Sequence, residues 1–165
     1  MARHPNIVNG ADLPWKATRH GERFGYERRS FTAVAGGRQL GASLFRVPPG
    51  RSAFPYHLHH ANEEALYILA GRGELRLGGE TYPVAAGDYV ALPAGPAHAH
   101  ALHNPGPEPL EYLCLSTMIA PEVVEYPDSD KVGVMAGSAP GGDPARRLLS
   151  GFYKRGTNVD YYEGE

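Results

Sequence analysis

The segment His57-Leu58-His59-His60-Ala61-Asn62-Glu63-Glu64 is answered further along by Pro93-Ala94-Gly95-Pro96-Ala97-His98. These two stretches hold the side chains best suited to bind a metal ion. Two histidines spaced two apart point to one face of an extended backbone, because side chains alternate along a strand. A carboxylate on the next strand and a third imidazole further on can then close around one ion. Imidazole with carboxylate suits first-row transition metals, whereas an all-thiolate set points elsewhere. A carboxylate facing an apolar interior is costly if its charge stands alone, and a divalent cation removes that cost. The pattern predicts a mononuclear metal site and leaves its chemistry open.

The elements that must position these residues read as short strands. Segments 40–47, 64–70, 74–77, 80–84, 88–92, 97–102 and 110–117 are apolar or alternating, and 31–35 is a further short apolar run. Gly78-Gly79 between two of them is a hairpin signal, since such turns need positive φ. Short strands with closely spaced turn signals predict an all-β sandwich or barrel. Within 64–70, Glu64, Leu66 and Ile68 share one face, expected inward, while Tyr67 and Leu69 share the outward one. Residues 1–30 read as a polar, irregular arm. Residues 120–165 read as an ordered extension broken by Gly and Pro, with at most a short helical turn over 121–126. Its aromatics, from Phe152 to Tyr162, are expected to be partly docked.

The chain has 165 residues, the size of one domain, and is read as a single unit over 1–165 with a barrel at about 31–119. Gly and Pro together make about 22% of it, short of the level that marks disorder. A formal net charge of -2 offers no electrostatic case for nucleic acid or an anionic membrane. No apolar run is long enough to span a bilayer, and the start lacks the apolar core of a signal peptide. The single cysteine, Cys114, fits a reducing, cytoplasmic compartment and reads as a small buried strand residue rather than a nucleophile.

The two metal-type stretches resemble the two motifs of the cupin superfamily. Gly50, His57, His59, Glu64 and Gly71 match the first; Gly87, Pro93, Gly95, His98 and Asn104 match the second. The resemblance covers roughly residues 40–117. It implies a double-stranded β-helix, or jelly-roll barrel, of the small single-domain bacterial type, with irregular N- and C-terminal extensions. No second motif pair is present, so a two-barrel protein is not expected. The resemblance places the four metal ligands on His57, His59, Glu64 and His98, with iron, manganese, nickel, zinc or copper as the ion. The spacing to Gly71 selects Glu64, and leaves Glu63 as a solvated or rim charge. Two spacings depart from the family pattern. One extra residue separates Gly50 from His57, and Asn104 stands six positions after His98 where the family has four, which puts the role of Asn104 in doubt.

Other side chains take plainer readings. His100 shares the inward face with His98 and is expected to act as a partner to the ligands or a pocket wall, with ligand in place of His98 as the alternative. Tyr56 and Phe54 are candidates for the barrel mouth. His60 and His103 are read as surface or turn residues. The expected function is that of a metal-dependent enzyme acting on a small oxygenated organic molecule, with dioxygenase-like chemistry slightly ahead. A sugar or sugar-phosphate isomerase or epimerase and a non-catalytic metal- or ligand-binding protein are the alternatives. The outward apolar strand face predicts a homodimer.

Overall fold

A computed structural model describes residues 3–165. Its strands are β1 Lys16–His20, β2 Phe24–Ser30, β3 Leu40–Val47, β4 Leu58–His59, β5 Glu64–Ala70, β6 Arg72–Leu77 and β7 Glu80–Ala85. They continue as β8 Tyr89–Leu92, β9 His100–His103, β10 Leu110–Thr117, β11 Glu122–Tyr126, β12 Lys131–Ala136 and β13 Leu149–Lys154. Short 3-10 turns complete the described residues, the one at Pro96–His98 lying beside the metal-type cluster.

Three antiparallel sheets result, ordered β1-β2-β3-β10-β5-β8, β7-β6-β9 and β13-β12-β11-β4. The first two face each other across one apolar core, a jelly-roll arrangement. Phe45 and Ile68 come from one sheet, Leu75 and Leu102 from the other, and all are buried. The rings of Phe45 and Tyr112 stack at 5.2 Å between them. Burying each such side chain contributes about 1.5–3 kcal/mol. The alternation along β5 behaves as its sequence requires: Leu66 and Ile68 are buried, while Tyr67 and Leu69 are exposed. The β6–β7 hairpin closes through Gly78 and Gly79, both at positive φ, with Leu77 facing Glu80.

Several segments differ from their sequence reading. The arm 1–30 contributes two strands: β1 lies at the sheet edge fully exposed and pairs through its backbone with β2. A strand with no buried face carries no apolar alternation to read. Residues 31–35 form a turn, not a strand. Segment 97–102 divides into the Pro96–His98 turn and β9. Residues 121–126 hold strand β11 in place of a helical turn, because Val123 and Val124 are β-branched and β11 pairs on both sides, with β12 and β4. Of the aromatics expected to be partly docked, Phe152 meets Tyr126 with ring centres 5.8 Å apart, while Tyr161 and Tyr162 are exposed.

Candidate metal centre

Four elements build the cluster. His57 and His100 exchange backbone hydrogen bonds: His57 N–H donates to His100 O at 3.0 Å and His100 N–H to His57 O at 2.7 Å. This cross-strand pairing sets their rings 4.5 Å apart. His59, two residues beyond His57, follows on β4, and its ring lies 5.1 Å from that of His57. Its carbonyl accepts the Gly95 N–H at 2.8 Å, and Gly95 holds φ of 113°, a value that excludes a side chain without strain. Glu64 opens β5 and points at the rings. His57, His59 and Glu64 each offer a ligand atom, and these atoms lie within 4.8 Å of one another.

Each of three rings meets an oxygen at Nδ1. His57 Nδ1 lies 2.8 Å from Pro55 O, His100 Nδ1 2.9 Å from His98 O, and His59 Nδ1 3.3 Å from Glu122 Oε2. An acceptor there keeps the proton on Nδ1 and leaves Nε2 a lone pair. Two of the Nε2 atoms converge on one carboxylate oxygen: Glu64 Oε2 is 3.4 Å from His100 Nε2 and 3.7 Å from His59 Nε2. The latter nitrogen is buried and has no hydrogen-bond partner. A buried, orphaned nitrogen aimed at a carboxylate among clustered imidazoles is what a bound cation would satisfy. The residues therefore fit a mononuclear divalent transition metal.

The electrostatics agree. Burial, aided by the neighbouring His100, lowers the His57 pKa to about 3, so this ring is neutral and free to coordinate. Burial would push Glu64 up, but the His100 ring against it and the neighbouring His59 and His57 rings outweigh it and hold the carboxyl below its ordinary value. Burial likewise opposes charge on His59, yet the Glu122 and Glu64 carboxylates raise its pKa. Two carboxylates around His59 thus favour positive charge at this place.

The structure groups the sequence candidates unevenly. His57, His59 and Glu64 come together. His98 stands at the end of the Pro96–His98 turn, and its side chain makes no hydrogen bond, ion pair or ring contact with the other three imidazoles or Glu64. Its carbonyl oxygen meets His100 Nδ1 at 2.9 Å, and its own Nδ1 is buried without a hydrogen-bond partner. Asn104 stands four positions after His100, the spacing the second cupin motif places between its His and Asn, so counting back from Asn104 would have found His100. Asn104 itself is structural: fully buried, it donates to Val47 O and Glu108 O and accepts from Gly106 N–H. Tyr56 lies on the opposite face from His57, packed with Leu58 and Ala99 beneath the Arg76 guanidinium. Phe54 reaches the site edge, 6.1 Å from the His57 ring. Glu63 and His60 are exposed as expected, and His60 Nε2 pairs with Glu125 at 2.7 Å. His103 is half-buried on β9, within 3.2 Å of Ser52 Oγ, rather than in an exposed turn. Burial raises the Cys114 pKa well above its ordinary value, which keeps the thiol protonated.

Two residues of the site lie outside both motifs. Glu122 and Tyr126, on β11, approach His59 and His57; the Tyr126 ring stacks 6.0 Å from that of His57. No motif spacing pointed to them.

Residues 43–116 match the family model of the Cupin domain. With the jelly-roll and the grouped His and Glu, this identifies a small domain of the cupin superfamily over these residues. Over 88 residues, 51% of the chain, it is 38% identical to quercetin 2,3-dioxygenase of Bacillus subtilis, of which it spans 26%. It is 40% identical over 70 residues to an uncharacterised protein of Methanocaldococcus jannaschii, covering 42% of the chain and 54% of that protein. The chain thus spans about a quarter and about half of these two relatives. Among solved structures, a protein provisionally described as a sugar phosphate isomerase from Acidithiobacillus ferrooxidans superposes with a TM-score of 0.79 at 26% identity. That superposition covers 96% of this chain and 98% of the other. Among the described residues, no helix is long and apolar enough to cross a membrane.

Proposed function

We propose that the protein is a metal-dependent enzyme acting on a small oxygenated organic molecule, with His57, His59, Glu64 and His100 as ligands. The observation that carries it is the convergence of Nε2 atoms on the Glu64 carboxylate, each ring held from behind at Nδ1. Three nitrogens and one carboxylate leave positions open for a substrate oxygen. A metal held there would supply Lewis-acid polarisation or, with iron, copper, nickel or manganese, dioxygen chemistry. The protein's part is to keep His57 neutral, fix the orientation of the rings and set Phe54 and Tyr126 beside them. Phe54 and Tyr126 flank His57 and would orient a planar or cyclic substrate.

Dioxygenase-like chemistry is the first reading, supported by the identity shared with the Bacillus quercetin dioxygenase across the barrel. Isomerase chemistry is the second, supported by the end-to-end superposition on the Acidithiobacillus protein. Arg76 gives no help to a phosphate, since Asp128 pairs with it at 2.7 Å. Oxygen uptake against a panel of enediols, diketones and catechols, with each metal restored in turn, tests the first reading. Uptake with one pair supports it. Silence throughout, with aldose–ketose interconversion under zinc or manganese, transfers the assignment to the second. Metal binding without turnover in either assay would leave a ligand-binding cupin.

The protein is further proposed to work in the cytoplasm, as a homodimer. Tyr67 on β5 and Tyr89 on the edge strand β8 pair directly and are 43% and 65% exposed. A second copy would cover this outward face.

A further inference from the structure

Glu122 is a carboxylate of 0% exposure with no place in either cupin motif, 63 positions beyond His59. It reaches the site because β11 pairs with β4, Val124 opposite His59. Glu122, Val124 and Tyr126 alternate onto the same face of β11, so one strand presents all three toward β4 and the cluster. The Glu122 carboxylate accepts the backbone N–H groups of His60 at 3.1 Å, Ala61 at 3.0 Å and Asn62 at 3.0 Å, and the Asn62 side-chain amide. Asn62 is itself buried and fixed, donating to Ile119 O at 3.0 Å and accepting from Ile119 N–H at 2.7 Å. The remaining contact is His59 Nδ1.

These partners span the stretch that joins two ligands, from His59 to the threshold of Glu64. We infer that β11 is a built-in wall of the metal centre, and that Glu122 is a positioning residue that fixes the His59 tautomer and the 60–62 backbone so that Nε2 faces the ion. The family match ends at residue 116, so this wall is supplied by the chain beyond the matched barrel. A carboxylate behind a ligating imidazole both orients the ring and raises its basicity. A neutral amide in its place keeps one acceptor oxygen, enough for the His60 and Ala61 N–H groups, and turns an NH2 toward Asn62 and His59. It has no negative charge to hold Nδ1–H, so the ring loses its preference for the ligating tautomer.

The inference rests on the metal reading above, and the test separates the two. The full chain is freed of metal with a chelator and titrated with Co(II) against a competing dye, with visible spectra recorded. Wild type, His57→Ala, Glu122→Gln and Glu125→Gln are compared; Glu125 lies on the other face of β11. The expectation is binding by wild type and by Glu125→Gln, with none by His57→Ala. Glu122→Gln should bind about 10–100-fold more weakly, with an altered Co(II) spectrum and a melting curve that still shows a cooperative fold. Equal affinity and an identical spectrum for folded Glu122→Gln and wild type would overturn the role of Glu122 while leaving the metal reading intact. A wild type that takes up no Co(II) or Zn(II) would overturn both. If Glu122→Gln does not fold, nitrogen NMR of imidazole-labelled, Zn(II)-loaded wild type decides. Coordination of His59 through Nε2 with a protonated Nδ1 supports the inference, and coordination through Nδ1 overturns it.

Discussion

The barrel stretch and the strands that follow it, β11 to β13, serve one cluster in different ways. The barrel supplies the atoms that face an ion: His57, His59 and Glu64 within 4.8 Å, and His100 against Glu64. The strands beyond the barrel stretch, β11 to β13, supply none of them, yet Glu122 stands behind His59 and Tyr126 beside His57. The barrel residues carry a spacing pattern because neighbouring strands present them in order. The β11 residues carry none, because a single strand pairing, made far along the chain, delivers them. A site can therefore be half legible: its facing atoms follow a local rule and their supports follow tertiary pairing.

This contrast can be broken at several points. The largest effect is expected from His57→Ala or Glu64→Ala, which should reduce bound metal from about one equivalent to near none, measured by elemental analysis after dialysis. Metal retained in both would dissolve the barrel half of the contrast.

Next comes the choice between two histidines of the second motif. His100→Ala should weaken metal binding beyond the about 10–100-fold that loss of an outer partner brings. His98→Ala, which leaves the carbonyl to His100 in place, should stay within a few-fold of wild type. The reverse ranking in a Zn(II) competition titration would restore His98 as the ligand.

Asn104→Ala sharpens the distinction between structure and site. It strips a fully buried amide from two carbonyls and one N–H and should cost about 1–3 kcal/mol in urea unfolding. Its metal affinity, once folded, should match wild type.

Acid should act through the same buried groups. In the metal-free fold His57 stays neutral down to about pH 3, whereas the unfolded chain protonates it near its ordinary 6.5. Its contribution to stability is present above 6.5 and is lost as pH falls from there toward 3. Glu122, held at about 2 because its hydrogen bonds with His59, Asn62 and Ala61 outweigh the upward push of burial, adds stability above 4.5 that is lost as pH falls toward 2. His59, with its pKa raised, works the other way, its contribution fading as pH rises above 6.5. Urea midpoints of the chelator-treated protein should therefore fall from pH 6.5 to 4, less steeply in His57→Asn. A flat profile would show that these groups do not differ between the folded and unfolded chain.

The smallest effect on the centre itself is expected from Tyr89→Glu. It should turn a dimer into a monomer by light scattering and leave metal binding unchanged. A monomeric wild type would remove the homodimer.

How far each element could be read follows from what it buries. β3, β5 and β10 announced their limits because their burial alternates or is bounded by Gly and Pro. β1 is exposed along its whole length and left no mark. β11 was read as a turn since its short Val-Val run says nothing of two partners on either side. His98 matched the second motif by its distance from Pro93 and Gly95. Yet Pro96–His98 closes a 3-10 turn after Gly95, and the strand that pairs with His57 begins only at His100.

By itself, the sequence determined the all-β class, the Gly78-Gly79 hairpin, the inward face of β5 and the pairing of His57 and His59 with Glu64. The first three rest on alternation and turn chemistry, which act over a few residues, and the last rests on the resemblance to the first cupin motif with its spacing to Gly71. Only the tertiary structure decided that His100 rather than His98 stands against Glu64, that Tyr56 faces away, and that Glu122 lies behind His59. Those outcomes depend on which strands pair and in what register, and a shift of one residue would turn every side chain to the other face.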